Sequence, residues 1–210
     1  MRRLLGLGIA SLLLASLAMP STPVTAAPNT GMTKAQIMAM EKSLGKAFVD
    51  AAARVKIKPP SCNKTGTSCL MWWNFDTYSK CSAGGSIHTI GSLTGTVAPA
   101  QLGGKVWLHG SIMQPILDWK CIGGWVVNTD PSLTNTVQLS VNGPTLKYSM
   151  TRGGAWTATS QKGVTPKRVQ TCHVSGTTWV NVGGLANIGN RSQLRLTCVP
   201  GGTYSFDMSF

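Results

Sequence analysis

The sequence predicts a mainly β domain, a disulfide-linked antiparallel β-sandwich or barrel-like fold preceded by one N-terminal amphipathic α-helix. Three observations carry that expectation. Six cysteines stand behind an export-type leader. One helical period occupies the chain between Thr33 and Val55. From Cys62 onward Gly, Thr, Ser, Val and Trp dominate, and short alternating segments punctuated by Gly and Pro replace that period.

The leader comes first. Arg2 and Arg3 precede Leu4–Ala18, which is apolar apart from two serines and two glycines. A membrane span needs about 20 apolar residues, whereas a secretory signal needs an apolar core of about 7–15. Small residues follow at Val24-Thr25-Ala26-Ala27, before Pro28. Residues 1–27 are therefore expected to be a cleaved signal peptide, and the mature chain to be secreted or periplasmic. No second long apolar run follows, so no transmembrane helix is expected in the mature chain.

The chain carries 19 basic and 6 acidic residues. Without Arg2 and Arg3 the balance is 17 to 6, or +11. The acids are Glu41, Asp50, Asp76, Asp118, Asp130 and Asp207. The basic residues are spread along the chain, which gives a diffuse positive field that favours anionic partners and weakens with salt. An exported protein seldom meets nucleic acid, which leaves an anionic polymer, a glycan or an envelope surface as the expected partner.

All six cysteines, Cys62, Cys69, Cys81, Cys121, Cys172 and Cys198, lie beyond the leader. An even count in an oxidising compartment predicts three disulfides. Nearness along the chain favours Cys62–Cys69, Cys81–Cys121 and Cys172–Cys198, although spacing alone leaves other pairings open. Structural zinc sites use close pairs such as C-x2-C, and none occurs.

Residues 28–60 are expected to form the helix and its stop. Thr33 is a good N-cap, and Gln36 completes a capping box. Ile37, Met40, Leu44, Phe48, Ala51 and Val55 recur at spacings of three and four, while Lys34, Glu41, Lys42, Lys46, Asp50 and Arg54 take the other positions. Pro59-Pro60 is the expected terminator. Residues 61–210 are expected to form the disulfide-linked β domain. Its clearest hairpin joins Val137–Val141 to Leu146–Met150 through Asn142-Gly143. Other expected strands are Met71–Tyr78, Ser86–Thr96, Lys105–Met113, Gly124–Asn128, Ala155–Ser160, Thr177–Val182, Gln193–Cys198 and Thr203–Phe210. Breaks are expected at Pro99, Gly103-Gly104, Asp130-Pro131, Gly153-Gly154, Gly183-Gly184 and Gly201-Gly202.

No catalytic residues, metal ligands or cofactor site are assigned. His88, His109 and His173 lack the H-E-x-x-H spacing of a zinc enzyme, and no G-x-S-x-G elbow or phosphate-cradling loop occurs. Asp76 and Asp118, each beside tryptophan-containing segments, are the best remaining carboxylates for a hydrolytic site. Tryptophan is the informative excess, with seven against three tyrosines and four phenylalanines. Trp72 and Trp73 are adjacent, so on a strand they face opposite sides. An exposed indole is a flat apolar platform with one donor, suited to a sugar ring. Trp72, Trp73, Trp107 and Trp125, with Lys105, form the candidate ligand-binding set.

Tyr204, Phe206, Met208 and Phe210 alternate to the last residue. That segment resembles the closing strand of bacterial outer-membrane β-barrels. It is equally suited to edge-strand addition to a partner's sheet. The expected function is an exported non-enzymatic binding or structural protein of the cell envelope or extracellular space. The alternatives are a secreted hydrolase with a loop-borne site, and a small outer-membrane barrel or structural subunit.

Overall fold

The computed structural model describes residues 31–209 apart from 98–105, 130–131, 143–144, 162, 164–165 and 183–189. The leader, Lys105, Phe210, Asn142-Gly143's second residue and the breaks at Pro99, Gly103-Gly104, Asp130-Pro131 and Gly183-Gly184 lie outside the described residues.

Helix α1 runs Lys34–Ala53. Thr33 is extended, and both halves of the capping box form. The Gln36 N–H donates to Thr33 Oγ1 at 3.2 Å, and the Thr33 N–H donates to Gln36 Oε1 at 2.9 Å. Thr33→Ala is expected to cost about 1 kcal/mol, an effect of roughly 2–4 °C in Tm by thermal unfolding. The helix closes where the Arg54 N–H donates to Ala51 O. Pro59-Pro60 does not end it. Both prolines belong to an edge strand, β1 (Lys56–Cys62), at a register shift between Lys58 and Ser61. A proline on an edge removes no ladder bond that a neighbour needs.

Eleven further strands follow. They are β2 (Cys69–Lys80), β3 (Ser86–Val97), β4 (Val106–Gln114), β5 (Ile116–Leu117), β6 (Trp119–Ile122), β7 (Trp125–Asn128), β8 (Leu133–Asn142), β9 (Thr145–Ser160), β10 (Val169–Val182), β11 (Arg191–Val199) and β12 (Gly202–Ser209). Every pairing is antiparallel. The order is β1-β2-β3-β4-β8-β9-β10-β11-β12, with β5 beside β3 and the β6–β7 hairpin beside the end of β9.

The mainly β, antiparallel and disulfide-linked character is as expected. Among the described residues the strands form one sheet rather than the two of a sandwich, and β1 and β12 each have a single strand neighbour. The second layer that an antiparallel sheet needs over its apolar face is α1 itself. Ile37, Met40 and Leu44 share one buried cluster with Trp119, Trp125 and Trp156. Phe48, Ala51 and Ala52 share the other with Trp73, Phe75, Leu93 and Tyr148. The Phe48 ring lies 5.9 Å from Phe75, stacked, and 5.4 Å from Tyr148, edge-on. Burial pushes the Tyr148 phenol well above its ordinary value.

Gly153-Gly154 does not break the chain either. β9 passes through it because the partner changes there. β8 pairs with Thr145–Gly153, β7 pairs with Thr157–Ser160, and β10 runs along the other side throughout. Neighbouring strands come close at Gly91 and Gly176, which occupy inward positions at φ +154° and +145°. A Cβ on either would meet the neighbouring strand's backbone oxygen at 2.3 or 2.2 Å. Only glycine permits so close an approach of a neighbouring backbone.

Glu41 departs most from expectation. The helical period places it with the polar residues, yet it is 1% exposed and faces the sheet. Its Oε1 accepts from Trp156 Nε1 at 2.8 Å, and its Oε2 accepts from Arg152 Nη1 at 3.0 Å. Arg152 donates further to Asn135 Oδ1 and Gln114 Oε1. Gln114 in turn donates to the Leu44 carbonyl on α1. The buried ions are thereby supplied with partners at every edge, which is the condition for tolerating them in an apolar interior.

The disulfides are Cys62–Cys69, Cys81–Cys121 and Cys172–Cys198. The first and third join residues directly opposite in neighbouring strands. The second ties the end of β2 to β6, elements that share no ladder.

Candidate functional site

Alternation along each strand divides the sheet into the face covered by α1 and an outward face. Trp72 and Trp107 are on the outward face, 40% and 57% exposed. Trp73 and Trp125 are 3% and 6% exposed and belong to the core. They are therefore not surface platforms, for the reason adjacency already implied: a strand that turns Trp72 outward must turn Trp73 inward. Lys105 precedes the first described residue of β4.

Cross-strand register sets the spacing of the outward residues. Trp72 stands opposite Thr94, Thr94 opposite His109, and His109 opposite Gln138. Trp107 lies two residues from His109 on β4, hence on the same face and one row further along. Lys58, opposite Trp72 on β1, holds its ammonium 4.4 Å from the Trp72 ring centroid. The same row continues through Ser149 to Trp179 and Arg191, where the guanidinium lies 4.7 Å from the Trp179 ring. A row of hydroxyls runs alongside. Ser92, Ser111, Thr136, Thr151 and Thr177 occupy facing positions on five consecutive strands.

The carboxylates do not pair with one another. His88 Nε2 donates to Asp76 Oδ1 at 2.8 Å, and the Tyr78 ring stacks on the His88 ring at 3.9 Å. Asp118 accepts from Asn128 Nδ2 at 3.3 Å. Among the described residues no group of three His, Cys, Asp or Glu side chains could hold a metal ion.

A separate cleft of about 390 Å³ lies between α1 and the β2 end, lined by Lys46, Asp50, Arg54, Lys80 and Trp119. Of its cations only Arg54, the helix C-cap, stands where the carbonyl end of the dipole attracts positive charge.

Trp179 and Arg191 were not in the sequence-derived set. Neither is adjacent in sequence to Trp72 or Lys58, and only the register of eight strands aligns them. No protein-family model, curated protein or solved structure matches the chain.

Proposed function

We propose that the chain is an exported, non-enzymatic binding protein whose outward sheet face takes an acidic glycan of the cell envelope or extracellular space. One observation carries the reading: Trp72 and Trp107 are exposed together on a face that also presents rows of hydroxyls, amides and cations. Sugar rings offer apolar C–H faces for indoles and hydroxyls that both donate and accept. The surplus of 19 basic over 6 acidic residues adds an attraction for carboxylated or sulfated sugars. Three disulfides suit an oxidising compartment, and no helix among the described residues is long and apolar enough to cross a membrane.

The outer-membrane barrel fits less well. A lipid-facing sheet presents a continuous apolar surface outward, whereas here Leu70, Tyr78, Met113 and the two tryptophans are interrupted by rows of Ser, Thr, Gln and charged residues. Edge-strand addition at Thr203–Phe210 remains compatible with the fold, since β12 has one strand neighbour among the described residues.

Trp72→Ala and Trp107→Ala are each expected to weaken binding to a linear polyuronate about tenfold, or about 1.4 kcal/mol. Binding is also expected to weaken as ionic strength rises from about 0.01 to 0.15 M, as the screening length falls from about 30 to about 8 Å. Titration calorimetry measures both. Affinity indifferent to both substitutions would reject the proposal.

A further inference from the structure

Resting on the outward-face reading above, we infer that this face holds two matched subsites for one linear glycan that crosses the strands. Each includes one of the two close-approach glycines in its floor. Opposite the inward Gly91, the outward surface dips into a hollow of about 440 Å³ edged by Lys56, Asn74, Asp76 and Ser92. Opposite the inward Gly176 it dips into a second, of about 570 Å³, edged by Arg195, Gln193, Asp207, Ser175 and Ser205.

The two sets share their main polar groups. Each has one cation, one carboxamide and one carboxylate, with one serine hydroxyl in the first and two in the second, and Ile90 also lines the first. Each is bordered, one row along, by a tryptophan with a cation over its ring: Trp72 under Lys58, and Trp179 under Arg191. A carboxamide beside a carboxylate and a cation supplies donors and acceptors together, which vicinal sugar hydroxyls need and a purely anionic ligand does not.

The hollows also lie on one line. Asn74 and Gln193 are the ends of a single register row, joined through Ser92, Ser111, Thr136, Thr151 and Thr177. Six strand spacings separate them, a path of about 29 Å along the surface. The hydroxyl ladder is the track between the subsites. The ligand class is therefore an extended, hydroxyl-rich chain running perpendicular to the strands, long enough to fill both hollows at once.

Two sites on one rigid face make a length-dependent binder. The test uses the full mature chain and a size-fractionated series of linear oligouronates. Oligomers shorter than the path are expected to bind weakly with two per protein. Those longer than it are expected to bind one per protein, about a hundredfold tighter. Asn74→Ala or Gln193→Ala is expected to return long oligomers to the affinity of short ones, and to reduce the short-oligomer stoichiometry from two to one. Should either variant fold poorly, Lys56→Ala and Arg195→Ala remove the cation from each hollow at exposed positions and carry the same expectation. One site per protein at every length, or affinity independent of length, overturns the two-subsite inference while leaving glycan binding by the tryptophans standing. No binding of any oligomer at low ionic strength overturns both.

Discussion

Arg152→Met is expected to remove about 3–5 kcal/mol of folding stability at neutral pH, the usual cost of leaving a buried charge without its partner. Glu41 would remain buried between α1 and the sheet, with Trp156 still donating to Oε1 and Oε2 deprived of Arg152. Asn135 and Gln114 would also lose the guanidinium that their oxygens accept from. The loss should fall mainly on the seam between helix and sheet. The control is the double variant Glu41→Leu, Arg152→Met, which removes both charges. It is expected to be more stable than Arg152→Met, because apolar pairs of similar volume replace buried ion pairs at small cost. Urea unfolding of the wild type, both single variants and the double gives the coupling. A loss below about 1 kcal/mol for Arg152→Met would show that the pair does not hold the helix.

The pH dependence follows with a definite sign. Burial raises the Glu41 carboxyl above 4.5, opposed by the charge of Arg152 and the hydrogen bonds from Trp156 and Arg152. Burial also lowers the Arg152 guanidinium, with Glu41 opposing. Without Arg152 the largest opposing influence on Glu41 disappears, so its folded value moves further up. The folded variant then binds a proton more tightly than the unfolded chain, and stability falls as pH rises. That contribution is fully present below the unfolded value near 4.5 and is lost on rising through the folded value. Arg152→Met is thus expected to regain part of its deficit relative to wild type as pH is lowered toward 4.5. A deficit that is flat or grows on acidification would contradict a buried, unpaired Glu41.

The sequence is legible where local chemistry decides the outcome. The capping box needs only Thr33 and Gln36, and the opposite facing of Trp72 and Trp73 needs only the pleat. The disulfides follow nearness because two of them close hairpins. What stays hidden depends on partners far along the chain. Glu41 has the periodicity of a solvated position, and nothing before residue 114 shows that a guanidinium waits across the sheet. Gly153-Gly154 has the composition of a turn, and continues as strand because β10 pairs along its whole length. Lys56–Cys62 carries two prolines and an unremarkable pattern, and becomes a strand because β2 offers it an edge. The single sheet itself is illegible, since each strand alternates in the same way whether a second sheet or a helix covers its inner face. The outward site was half visible for the same reason. Single exposed tryptophans can be guessed, but their alignment into rows with Lys58, Arg191 and five hydroxyls exists only in the register.

Cys81→Ala with Cys121→Ala is expected to cost about 4 kcal/mol, more than loss of either other bridge. In the chain-entropy description the cost grows with the loop closed. The separations are 40 residues here against 26 for Cys172–Cys198 and 7 for Cys62–Cys69. The difference in placement should matter as well. Cys172 and Cys198 stand within a ladder of nine register pairs, which keeps β10 and β11 together in the native state without the bond. The β6–β7 hairpin is held by fewer ladder bonds. It meets β9 over four register pairs, reaches the turn after β2 through the Lys120 N–H donating to Gly84 O, and reaches α1 through the bond from Gln36 to Gly123. Its inward tryptophans, Trp119 and Trp125, are part of the cluster under the first half of α1. Loss of the bridge is therefore expected to produce a local opening, with faster amide exchange at Trp119–Asn128 than in β8–β11, as well as a lower midpoint of global unfolding. Hydrogen exchange resolved by residue separates the two effects. Were the Cys62–Cys69 variant the more damaged of the two, or exchange in the hairpin unchanged, the chain-entropy ranking and the hairpin's dependence on this bridge would both be wrong.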